Sequence, residues 1–139
     1  MAGFQKFTSL PAFPVSTAAE ARRLIDLRTP NVIGVDEAQF FGDWMADLVT
    51  ELLERSAGGD LTIIAAGLDM DAWRRPFGIM PKLLSLADEV KKETAICFQC
   101  SKPAIFSQKL GDSQKQIEVG DADIYEAHCR LCHTLPKTN

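Results

Sequence analysis

Residues 31–37 read NVIGVDE, and residues 61–66 read LTIIAA. Each is a short, continuous apolar run without the alternation of a half-exposed strand. That pattern predicts strands buried on both faces. Helical patterns flank them, so the chain reads as α/β with a parallel sheet. Upstream, Thr17 and Glu20 have capping-box spacing. Ala18, Ala21, Leu24 and Leu27 follow as an apolar stripe, and Pro30 ends that helix. Downstream, Gly42 or Asp43 opens a second helix carrying Trp44, Leu48, Leu52 and Leu53, and Ala57-Gly58-Gly59 closes it. After the second strand come Gly67-Leu68-Asp69 and a loop with Trp73, Arg74, Arg75, Pro76 and Phe77. A helix is expected over residues 81–90 and a strand over residues 94–96. From Cys97 the chain turns to short strands, turns and paired cysteines, with Gly111 and Gly120 as turn points. These changes divide it into an irregular segment at residues 1–15, an α/β portion at 16–93 and a small module at 94–139.

The 139 residues amount to one domain, or one domain with a small appendage. A net charge of −4 with interspersed signs excludes the basic face of a nucleic-acid binder. Apolar runs such as residues 61–67 are far too short to span a bilayer. Residues 1–15 hold one lysine and no long apolar core, a poor secretory signal. They also lack acids and contain Ser and Thr, which leaves a weak transit-peptide reading.

All four cysteines fall after residue 96, as Cys97-Phe98-Gln99-Cys100 and Cys129-Arg130-Leu131-Cys132. Each CxxC presents two thiolates from one tight turn, and two such turns complete a tetrahedral zinc site. A four-sulfur shell leaves no position for substrate water, so the expected zinc is structural, holding a module too small for its own core. Metal rather than a disulfide framework also places the chain in a reducing compartment, the cytoplasm. A redox dithiol would need only one CxxC at a helix start. His128 and His133 flank the second pair and read as surface histidines in preference to ligands.

Asp36 and Glu37 follow the first strand directly. Two readings stand for them. One is a plain acidic pair at the entry to a helix. The other is phosphoryl transfer, in which an Asp at a strand end holds Mg²⁺ and a neighbouring Glu takes the proton of the attacking hydroxyl. Phe40 and Phe41 come next, with Trp73 and Phe77 in the loop after the second strand. Parallel sheets bind ligands outside their strand C-termini, and aromatics there can sandwich a flat base. These residues weigh against the plain acidic pair; core packing is the competing reading for each, and for Phe41 it stands level.

Six blocks occur in order: VIGVDEAQFF, GLDMD, RRPFG, LADEVKKETAICFQC, QIEVGDADIY and CRLC. Together they resemble the C-terminal two-thirds of the zinc-containing thymidine kinases of bacteria, phages, poxviruses and animal cytosol. The match runs over about residues 20–134. The resemblance implies a P-loop-kinase-like sheet followed by a zinc-ribbon-like lasso domain. It also implies phosphoryl transfer from ATP to the thymidine 5′-hydroxyl, with Mg²⁺. It makes Glu37 the general base and Asp36 the magnesium-associated aspartate. Phe40, Leu68, Phe77 and Ser107 fall at base-pocket positions, and Ile117, Val119, Gly120 and Tyr125 in the loop that closes over thymidine. Cys97, Cys100, Cys129 and Cys132 match the zinc ligands, and the resemblance implies a homotetramer. The family's aromatic after GLDxD is replaced by Ala72, with Trp73 one residue on.

The sequence has no GxxxxGK[ST] stretch, the loop that cradles phosphates and positions magnesium. The expectation is therefore an α/β sheet lacking the phosphate-loop strand, marginal because of an open edge, and little kinase activity in these residues alone. A truncated enzyme, half of a split enzyme completed by a loop-bearing chain, and a non-catalytic relative that binds a partner or nucleoside all fit. A zinc-ribbon interaction module on an α/β base is the alternative outside the family.

Overall fold

The computed structural model describes residues 10–56, 59–111, 115 and 124–136. Helix α1 (Ala18–Arg28) starts where the capping signal predicts. The Thr17 hydroxyl accepts from the Glu20 N–H at 3.3 Å, and the Glu20 carboxylate accepts from the Ser16 N–H at 2.8 Å. Satisfying orphan N–H groups in this way fixes the helix start. The predicted stripe is rotated, because Ala21 and Ile25 pack on the next helix while Leu27 is 71% exposed.

Strands β1 (Val32–Val35) and β2 (Thr62–Ala65) pair in parallel, with Ile33 opposite Ile63 and Val35 opposite Ala65. The crossover between them contains α2 (Trp44–Arg55), whose Met45, Leu48, Val49 and Leu52 form the buried side. Ser56 caps α2; of the predicted Ala57-Gly58-Gly59 stop, Ala57 and Gly58 lie outside the described residues and Gly59 takes φ +80. The expectation of strands buried on both faces does not hold. Ile33, Val35 and Ile63 pack against helices, whereas Val32 and Ile64 are 58% and 57% exposed. Side chains alternate across a strand, so helices on one side of this two-stranded sheet cover only every second residue.

Helix α3 (Met80–Leu86) ends four residues before the predicted residue 90. Met80 and Leu83 are its buried contacts, and Val90 stays 49% exposed. With nothing to bury against, a further turn has little to stabilise it. Beyond it, among the described residues, lie two antiparallel pairs, β3 (Ala95–Ile96) with β4 (Pro103–Ala104) and β5 (Phe106–Lys109) with β6 (Tyr125–His128). Gly120 lies outside the described residues, whereas Gly111 turns at φ +83. No helix among the described residues is long and apolar enough to cross a membrane.

Candidate functional site

The hydrogen bonding of the sheet continues past its last residues. The Ala66 N–H donates to the Val35 carbonyl at 2.8 Å, and the Ala38 N–H to the Ala66 carbonyl at 2.9 Å. This pins the chain immediately after Asp36 and Glu37 against the end of β2. Glu37 takes a left-handed conformation (φ 51) and starts a single 3-10 turn, Ala38–Phe40. A non-glycine residue there costs about 1–2 kcal/mol, tolerated where the surroundings hold it. The Glu37 N–H donates to Asp36 Oδ1 at 2.9 Å.

Both acids are exposed and open onto a cavity of about 360 Å³. Among the described residues its walls include Ser16 at the start of α1, Phe40, Phe41 and Trp44. An acidic rim beside aromatic faces suits a ligand that is flat at one end and hydroxyl-bearing at the other. Phe77 is buried and meets Phe40 edge to face, with ring centroids 5.7 Å apart. Leu68 is half exposed, and its N–H donates to Gln39 Oε1 at 3.0 Å. Ser107 and Tyr125 lie in β5 and β6, on the ladder that pairs Ser107 with Ala127 and Lys109 with Tyr125. Ile117, Val119 and Gly120 lie outside the described residues.

Gln39, which reads in the sequence only as one of the polar groups after the strand, is 2% exposed and joins Glu37 to Leu68. The signal for it was present, since a glutamine between Ala38 and two phenylalanines is an unusual core residue. Trp73 does not face this cavity. Its ring lies 5.5 Å from the Lys109 ammonium, and Ala72 is buried. Buried Asp71 fixes that loop by accepting from the Trp73 and Arg75 N–H groups, each at 2.9 Å.

The four cysteine sulfurs lie within 4.8 Å of one another. Cys100 Sγ and Cys129 Sγ are 3.6 Å apart, close to the spacing of two sulfurs on one tetrahedral zinc with bonds of about 2.3 Å. Burial pushes the Cys97 thiol up, but backbone amides of Cys129, Cys100 and Gln99 outweigh it and bring it down to about 6. The backbone amide of Cys132 likewise lowers Cys129, against burial. Hydrogen bonding to the other sulfurs, Cys100 first, pushes Cys132 up to about 12. Amides aimed at sulfur prepare thiolates, and clustered thiolates repel unless a cation joins them. The donor set therefore fits a structural zinc ion.

The flanking histidines are not surface residues as expected. His128 is 8% exposed and contacts Glu126 Oε2 at 3.1 Å and the Cys132 carbonyl at 3.2 Å. His133 is 4% exposed, lies tilted against Phe106 with ring centroids 5.0 Å apart and accepts from Arg74 Nε at 3.1 Å. Burial first, then the Arg74 charge, holds the His133 ring below its ordinary pKa. Specific partners draw the two rings inward, Glu126 and the Cys132 carbonyl for His128 and Arg74 with Phe106 for His133, whereas Phe98 and Leu131 on the same turns stay exposed.

The family model described as thymidine kinase matches residues 5–133. The chain belongs to the thymidine kinase family. It is 39% identical to a thymidine kinase of Bacteroides thetaiotaomicron over 125 residues, which is 90% of this chain and 60% of that relative. It is 44% identical to one of Deinococcus deserti over 114 residues, covering 78% of this chain and 54% of the relative. A thymidine kinase of Mesomycoplasma hyopneumoniae is 37% identical over 126 residues, covering 91% and 66%. The chain thus spans between 54% and 66% of the length of these curated relatives.

Proposed function

We propose that this chain forms the carboxylate-bearing nucleoside site and the zinc module of an ATP-dependent thymidine kinase acting in nucleoside salvage. The observation that carries this reading is the pair Asp36 and Glu37 at the end of β1, opening onto a cavity walled by Phe40. Family membership makes thymidine the substrate to test first.

In this reading the Glu37 carboxylate accepts the proton of the thymidine 5′-hydroxyl as that oxygen attacks phosphorus. Its contribution is a base held within reach, which converts proton transfer from a chance encounter into a fixed geometry. Phe40, braced edge-on by Phe77, stacks on the base, and Leu68, Ser107 and Tyr125 with Ile117, Val119 and Gly120 complete its enclosure. Asp36 offers a hard carboxylate oxygen of the kind magnesium prefers. One of its oxygens already accepts the Glu37 N–H, which leaves the other for the ion or its water. Magnesium would supply neutralisation of phosphate charge. Cys97, Cys100, Cys129 and Cys132 hold zinc as a cross-link within a zinc-ribbon-like lasso that starts near residue 94. The module stands on an α/β portion over residues 16–93.

The sequence contains no GxxxxGK[ST] loop. A polypeptide of these residues alone is therefore expected to turn thymidine over slowly, since each missing charge-stabilising donor costs on the order of 10²–10³ in rate. A second chain bearing such a loop, or assembly into a homotetramer, belongs to the same reading. The test is thymidine phosphorylation with ATP and Mg²⁺, with and without such a chain. Activity that appears on addition and falls at least about 10²-fold in Glu37→Gln supports the base assignment. Activity indifferent to that substitution refutes it.

A further inference from the structure

We propose that Gln39 is the positioning residue of the carboxylate site. Its buried amide clamps the Glu37 carboxylate to the N–H of Leu68, so the acid and the start of the loop after β2 are held as a single piece. What Glu37 does chemically rests on the kinase reading above; the clamp rests on geometry.

A glutamine that is 2% exposed needs a partner at both ends of its amide. Nε2 donates to Glu37 Oε2, and Oε1 accepts from the Leu68 N–H at 3.0 Å. The partners decide which end is which, because a carboxylate only accepts and a backbone N–H only donates. Neighbouring glycines are cut to fit. A Cβ on Gly67 would stand 2.4 Å from Gln39 Oε1, and a Cβ on Gly78 2.0 Å from the Gln39 carbonyl oxygen. The loops after β1, after β2 and before α3 therefore close on one residue.

The consequence for Glu37 is orientation. An exposed glutamate samples many rotamers, and its backbone here is in the left-handed region, which only the surroundings maintain. A charge-assisted hydrogen bond from a buried donor holds Oε2 and leaves Oε1 for the substrate hydroxyl. The same amide holds the Leu68 N–H, which ties the loop after β2 to the acid.

Two substitutions separate the halves of the clamp. Gln39→Glu keeps an acceptor for the Leu68 N–H and sets a second carboxylate against Glu37. Gln39→Met keeps the length and removes both bonds. Amide hydrogen exchange and thymidine affinity are measured on the zinc-loaded full chain. Exchange at Leu68 is expected to rise about tenfold or more in Gln39→Met and to change less than about threefold in Gln39→Glu, with Ala38 and Ala66 protected in both. Gln39→Glu is expected to weaken thymidine binding about tenfold, while the double variant with Glu37→Gln binds as Glu37→Gln does alone, because the exchanged pair restores the hydrogen bond. Unchanged Leu68 exchange in Gln39→Met, or losses that multiply in the double variant, would overturn the proposal. If Gln39→Met loses Ala38 protection through misfolding, the Gln39→Glu cycle decides alone. A wild-type chain that binds no thymidine would overturn the kinase reading, and with it the positioning role. Leu68 exchange would still report whether the clamp exists.

Discussion

Gly78 and Gly59 both hold positive φ, +50 and +80, yet they are constrained by different things. A side chain at Gly59 would meet nothing within 4 Å, whereas one at Gly78 would collide with the Gln39 backbone. Gly59→Ala is thus expected to cost only the conformational term, about 1 kcal/mol. Gly78→Ala adds a backbone clash and is expected to cost about 2–4 kcal/mol. Urea denaturation of the two variants measures the difference, and equal losses would mean that the loop before α3 does not abut Gln39. Asp36, Glu37, Phe40 and Phe77 stand out in the sequence because their types carry chemistry, and the structure sets the two acids and Phe40 around one cavity with Phe77 against Phe40. The fit of Gly67 and Gly78 around Gln39 was not, since it is a contact between segments far apart in the chain.

Helices α1 and α2 are joined by Arg22, whose Nε donates to Glu51 Oε2 at 3.0 Å and Oε1 at 3.3 Å. The hydrogen bond from Arg22 is the main reason the Glu51 carboxyl lies below its usual range, and the same bond raises Arg22. A depressed carboxylate stabilises the fold above the unfolded value of about 4.3 and loses that contribution as pH falls through the folded value. Thermal melts between pH 7 and 3 are expected to show a steeper acid loss in the wild type than in Arg22→Ala. Parallel curves would remove the pair from the stability of this helix contact. Solvent screening keeps the effect small. Element order and type were readable from NVIGVDE, LTIIAA and the Thr17–Glu20 cap. What periodicity could not give was which face each element buries. A continuous apolar run says only that no side must be polar, and here Val32 and Ile64 remain outward.

The paired cysteines were the plainest signal in the sequence, because two CxxC turns have few other uses. Which residues the cysteine-bearing stretch packs against was unreadable. Arg74 reaches His133 at Nδ1 and, at 2.8 Å, at its carbonyl, and also lies 4.8 Å from the Phe106 ring centre. Chelation is expected to remove about one zinc per chain and expose the amides of β3 to β6 to exchange, with α1 and α2 retained. Exchange mapping before and after chelation checks this, and uniform protection afterwards would deny the metal a structural role. A nucleoside site on the rim of β1 is checked by titration calorimetry of thymidine into the zinc-loaded chain, wild type against Phe40→Ala. Saturable binding of one thymidine per chain is expected, weakened about tenfold or more once the stacking face is removed. Binding that ignores Phe40, or no binding at all, would contradict it.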